Sequence, residues 1–383
     1  MTGDSISSPS PVSADNAGRA VFAQIHAPRP AWLALAEQEP TLDPALPIVD
    51  AHMHLWHPPG GARYYVEDYA GDAANCGHRI EASVYEECFH MYRARGPAHL
   101  RCVGETEFAV GQAAMADSGA FTDSRVAAVI VGHGELTLGE RTREALEAHV
   151  KAGNGRFRGV RQLGKWDADP AVRGRYCADR PHLYRDPDFN RGMRELAALG
   201  LSFDASVFHP QIPDVTALAR AHPDVSLVLV HCGSPVGHGA YAGRQAQVHA
   251  DWLAHMTELA RCPNACVKLG GILINLASYD YSRAERPLGS EALADLWRPY
   301  IEPCVELFGV DRCMVSSNFP VDKAGLGFGT VWNVFKRLTA GCSQQERSAL
   351  FSGTARRIYR IAPADQPAGD ATPTETALQG EET

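Results

Sequence analysis

The chain has 383 residues, 45% hydrophobic and 21% charged, with a formal net charge of −9. That is an ordinary globular balance, long enough to bury a large core, and it excludes a basic nucleic-acid surface. No segment approaches the roughly 20 apolar residues that span a bilayer, and the start has no apolar run of the signal-peptide kind.

Residues 1–18 are rich in Ser, Pro, Ala and Asp, and residues 362–383 in Pro, Ala, Thr and acids. Five negative charges, Asp365, Asp370, Glu375, Glu381 and Glu382, lie in the second stretch without a Lys or Arg. Neither stretch offers enough apolar surface to offset the entropy of ordering, so both are expected to be disordered tails. Between them, apolar β-branched runs alternate with helical patterns. Strands are predicted at 47–50, 82–88, 126–132, 157–161, 201–207, 226–231, 265–268 and 312–316. Helices are predicted at 106–117, 141–152, 189–199, 214–221, 245–261, 291–308 and 329–340, with a last one at 343–359. Eight strand–helix units imply parallel strands with right-handed crossovers, closing into one (β/α)8 TIM barrel over about residues 45–360. A doubly wound open sheet is the rival. It lacks support because the first strand runs into Asp50-Ala-His-Met-His54 and not into a glycine fingerprint.

The ten cysteines are scattered, with no paired spacing of the zinc-knuckle kind. They read as reduced thiols, most of them small buried hydrophobes, which suggests a cytoplasmic protein.

Barrel enzymes work at the C-terminal ends of their strands. There this chain places His52 and His54, then Glu105, His133, Arg161, His209, His231, Lys268, Asn318 and Asp322. Residues i and i+2 of a strand face the same side, so the His52 and His54 imidazoles converge, a pattern suited to a divalent metal. Arg161 is either a carboxylate clamp or one half of a salt bridge. Lys268 is an anion contact or a partner of Asp204. Trp166, with Tyr176 and Tyr184, forms an aromatic lid or packs at the rim. Glu105 is a base or ligand, or a carboxylate favoured by a helix N-terminus. Asp322 is a proton carrier or a helix cap.

The runs Pro47-Ile-Val-Asp-Ala-His-Met-His54, Gly104-Glu-Thr-Glu-Phe108, Phe157-Arg-Gly-Val-Arg161, Leu201-Ser-Phe-Asp204, His209-Pro-Gln, Leu229-Val-His231 and Ser317-Asn-Phe-Pro-Val-Asp-Lys323 resemble, in order, the motifs of the amidohydrolase-related (amidohydrolase 2) family. The resemblance points to its lactonase-like branch. It implies a divalent metal, zinc or manganese, on His52, His54 and His209, with His231 binding the metal or polarising the substrate; Glu105, placed after strand two, is a further candidate ligand. It implies hydrolysis of a lactone, ester or amide in a small, carboxylate-bearing substrate. The family's Asp at the end of strand eight is Asn318 here, and Asn cannot act as a base. That departure brings in a metal-independent lactonase as an alternative, beside a decarboxylase or lyase and a barrel that only binds. The only partner expected is a small molecule, with no nucleic acid or membrane; homo-oligomerisation is left open.

Overall fold

Strands β1 (Ile48–Met53), β2 (Ile80–Glu86), β3 (Arg125–His133), β4 (Phe157–Leu163), β5 (Ser202–Ser206), β6 (Leu227–Leu229), β7 (Ala265–Leu269) and β8 (Cys313–Val315) form one sheet in sequential order. Each neighbouring pair is parallel. Helices α1 (Val66–Asn75), α2 (Val103–Asp117), α3 (Thr142–Ala152), α4 (Pro187–Ala198), α5 (Ile212–Ala221), α6 (Gln245–Ala260), α7 (Ser290–Phe308) and α8 (Phe328–Leu338) follow the eight strands in turn. This is the expected (β/α)8 barrel, seen in a computed structural model that describes residue 22 and residues 24–58, 61–174 and 176–362. The predicted tails, 1–18 and 362–383, lie outside those residues except for Ala362, whose carbonyl accepts from Arg125 and Arg356.

Three local differences from the sequence reading have physical causes. Helix α1 was not predicted, because Pro58, Pro59 and Gly60 shortly before it read as loop. It buries Val66, Tyr69, Ala70 and Ala73, a helical stripe, and Asp68 closes its N-terminus by accepting from the Tyr65 N–H at 2.8 Å. The last predicted helix divides into Gln344–Ser348 and Thr354–Tyr359 around a π turn at Ala349–Gly353. Strands β6 and β8 span only three residues each. Beyond them His231, Cys232 and Asn318 take positive φ values of 55°, 51° and 56°, which ends extended pairing.

Inside the barrel, Val49, Ala51, Val84, Val129, Val228 and Met314 belong to one apolar cluster that Tyr359 also joins. Above it runs a buried ionic layer. The Lys268 ammonium sits 2.7 Å from Glu86 and 2.7 Å from Asp204, and the Tyr359 hydroxyl donates to Asp204 at 2.6 Å. Buried charges persist only when paired in this way.

The seam between β1 and the end of β8 positions the site. The Asn318 N–H donates to the His52 carbonyl at 2.9 Å, and the His54 N–H donates to the Phe319 carbonyl at 2.7 Å. The Asp50 carboxylate locks the same seam by accepting from the Ser317 N–H at 2.8 Å and its hydroxyl at 2.6 Å. Closing the barrel therefore also sets Asn318 beside the two histidines.

Candidate active site

His54, Arg161, His231 and Asn318 line one cavity of about 130 Å³ at the C-terminal mouth of the barrel. All four are buried, and His52 lies fully buried just beneath. The His52 and His54 rings meet edge to face with their Nε2 atoms 3.1 Å apart. The His231 ring centroid is 4.5 Å from that of His52. So the convergence expected of His52 and His54 is present, and His231 joins it.

Hydrogen bonds fix the tautomers. The Glu86 carbonyl can only accept, so His54 Nδ1, 2.8 Å away, carries a proton and leaves its Nε2 as a lone pair. In the same way His231 Nδ1 donates to the Gly270 carbonyl at 3.1 Å, which leaves His231 Nε2 unprotonated. A Cβ on Gly271 would stand 1.9 Å from His231 Nδ1, so only glycine leaves room for this ring. Burial holds His54 down to about 3, with Arg161 and Lys268 as added positive neighbours. It also holds His52 and His231 well below the usual histidine range, for His231 with Lys165 and Arg161 as the next causes. All three imidazoles are neutral at pH 7.

Arg161 lines the cavity but is already committed. Its Nε donates to Glu87 at 2.8 Å and faces Glu86 at 3.4 Å, and an Nη donates to the Glu87 carbonyl. The salt-bridge alternative therefore describes two edges of its fork, with Glu87 as the acid. These carboxylates raise the guanidinium's affinity for its proton, so it is a fixed cation. Asn318 donates to Asp322 at 2.9 Å.

Five expected site residues lie elsewhere. Glu105, in the first turn of α2, accepts from the Cys88 N–H at 2.7 Å, the Tyr85 hydroxyl at 3.0 Å and the His90 N–H at 3.3 Å. It braces the β2–α2 connection and faces no imidazole of the cluster. His209 is not on the cavity wall; beside it Gln211 accepts from the Phe208 N–H at 3.2 Å in a tight turn. Its ring packs against Tyr241, while its neighbours Ser206 and Phe208 line the cavity instead. Lys268 is sealed in the ionic layer below. Trp166 is absent from the cavity wall; its backbone is held by Gln211. Asp322 is fully buried behind Asn318, and burial pushes it up to about 7.

The sequence reading missed Glu86 and Glu87, although an acidic pair ending the apolar strand Ala-Ser-Val-Tyr was a usable signal. It also missed Lys165 and Arg173, in the long connection after β4, and Gln24 and Ile25, which come from the N-terminal segment to the cavity wall. No local pattern marks those four.

A catalytic zinc needs three protein ligands. His52 and His54 supply two converging nitrogens and the His231 ring packs against His52, but Asn318 stands where a carboxylate is needed. Among the described residues no group of three or more His, Cys, Asp or Glu side chains is arranged to hold a metal ion. The expected set of His52, His54, His209 and Glu105 is not brought together, and this donor set does not fit such a metal.

The amidohydrolase family model matches residues 49–361. This chain belongs to the amidohydrolase family. It is 30% identical over 329 residues to an L-fucono-1,5-lactonase of Burkholderia multivorans, covering 83% of this chain and 97% of that protein. An amidohydrolase structure from Burkholderia multivorans with bound zinc superimposes with a TM-score of 0.61 at 26% identity, over 82% of this chain and 99% of that one. A second, with bound HEPES, gives a TM-score of 0.60 at 25% identity over the same shares. Among the described residues no helix is long and apolar enough to cross a membrane, and all ten cysteines are free.

Proposed function

We propose that this amidohydrolase-family protein is a lactonase that opens a small lactone ring with water activated by its own side chains. The observation that carries the reading is the pairing, in one cavity, of an unprotonated His231 Nε2 with the fixed cation Arg161. The similarity to an L-fucono-1,5-lactonase supports lactone hydrolysis.

In the proposed reaction, His231 Nε2 takes a proton from water as the water oxygen bonds to the carbonyl carbon. Charge grows on the carbonyl oxygen and is stabilised by Arg161. The ring C–O bond then breaks, and His231 returns its proton to the departing ring oxygen, leaving a hydroxy acid. An imidazole this poor at holding a proton becomes a better base as the oxyanion forms beside it. Asn318 and His54 bound the far side of the carbonyl and orient it. Zinc in a relative supports metal association elsewhere in the family; here, among the described residues, no three such side chains are arranged to hold a metal, and no step uses one.

The test is a panel of sugar and aliphatic lactones, simple esters and amides, followed by acid release, with His231→Gln as control. Lactone opening that falls about 100-fold or more in the variant supports the reading. Activity confined to amides, or carbon dioxide release without ring opening, rejects it.

A further inference from the structure

Among the described residues the charged ones on the cavity wall are Arg161, Lys165 and Arg173, and no Asp or Glu of them lines it. Arg161 is neutralised by Glu87 and Glu86. The other two have no ion pair among the described residues. The Lys165 ammonium lies 5.4 Å from the Phe208 ring centroid, a contact that uses none of its N–H groups. Arg173 ends the short helix Pro170–Arg173 and is half-buried.

The acids of the same connection are occupied. Asp167 accepts from the Tyr241 hydroxyl at 2.7 Å and from the Asp169 N–H at 2.8 Å. Asp169 accepts from the N–H groups of Ala171 at 2.9 Å and Ala240 at 2.8 Å. Two cations thus face one partly dehydrated cavity with no counter-charge among the described residues, a costly arrangement unless a ligand supplies it. Burial pushes the Lys165 ammonium down to about 8, with Arg161 adding to it. It remains a cation at pH 7.

We propose that Lys165 and Arg173 form a recognition pair for a carboxylate carried by the substrate apart from its reacting carbonyl, so that the substrate is a lactone acid. This rests on the lactonase reading for the ring, while the anion pair itself rests only on the charges of the cavity. The wall beside the pair is apolar, with Phe89 stacked on Tyr176 at 5.5 Å, which suits a flat ring between the carboxylate and His231.

The test uses paraconate, a lactone with a ring carboxylate, and its uncharged carboxamide. The wild type is expected to prefer paraconate in kcat/KM by about 10- to 100-fold, the value of one or two charge-assisted hydrogen bonds. The double variant Lys165→Met, Arg173→Met should lose that preference. An unchanged preference in a folded double variant overturns the proposal. Calorimetric binding of tetrahydrofuroate against its carboxamide decides the same question without turnover. If neither lactone opens but tetrahydrofuroate binding depends on Lys165 and Arg173, the lactonase reading fails and the anion pair stands. If the wild type binds acid and amide equally, the anion pair fails.

Discussion

Asn318, which lines the cavity with His54, donates to Asp322 across 2.9 Å. The amide carries no charge, so it sits beside a buried acid held at about 7 without repulsion. Asp at this place would meet a second carboxyl at hydrogen-bond distance, and it would complete a His52, His54, Asp ligand set. Asn318→Asp is therefore expected to retain about one equivalent of zinc by elemental analysis, where the wild type retains none. Its metal-free lactone hydrolysis should fall at least about tenfold. A variant that binds no more zinc than wild type contradicts the geometric reading of this site.

His231 owes its position to a neighbour without a side chain. Gly271 has φ 67°, and a Cβ there would overlap the imidazole. Gly271→Ala should lower kcat by about 100-fold, the scale of removing a general base, with a strain of about 1–2 kcal/mol at the positive φ. The measurement is a kcat and KM split beside a thermal melt. A variant with normal kcat would mean that this ring orientation does not matter.

The pH profile should be displaced from an ordinary histidine enzyme. The base works as a neutral imidazole, and burial lowers its proton affinity, so the acidic limb of kcat should lie below the usual value of about 6.5. On the other side, Lys165 loses its charge near 8, so KM for an acidic lactone should rise above that pH. Lys165→Arg should move this alkaline limb upward and out of range, because a guanidinium stays protonated. An alkaline limb that Lys165→Arg leaves in place assigns it to another group.

Glu105 offers a stability test. Burial, with Glu87 next, raises its carboxyl to about 8, above an unfolded value of about 4.3. The folded state therefore keeps a proton that the unfolded chain releases. Its contribution is full below the unfolded value and is lost as pH rises toward 8. Glu105→Gln should flatten the decline of Tm across that window. If the variant instead abolishes hydrolysis while its melt is normal, Glu105 belongs to the reacting group after all.

The barrel and the His52–His54 pair were legible because strand alternation and helical stripes are local signals, and two residues of one strand share a face. His231 was legible as the histidine that closes the sixth predicted apolar run, although it lies just past β6. What escaped were groups placed by distant contacts. Lys165 and Arg173 reach the cavity through a connection with no periodic pattern, and Gln24 comes from a segment before the first strand. His209 lies off the cavity wall with its ring on Tyr241, and the Glu105 carboxylate is taken up by the Cys88 and His90 backbone. Both residues are in the expected part of the barrel, but side-chain direction there depends on hydrogen bonds made across loops.

The most direct test of the central claim is the initial rate of lactone ring opening by protein dialysed against a chelator, its metal content verified by elemental analysis, before and after adding zinc. We predict that the metal-free protein opens the ring at essentially the full rate and that zinc adds little. A metal-free protein that is folded but inactive, and that zinc restores, would contradict the account.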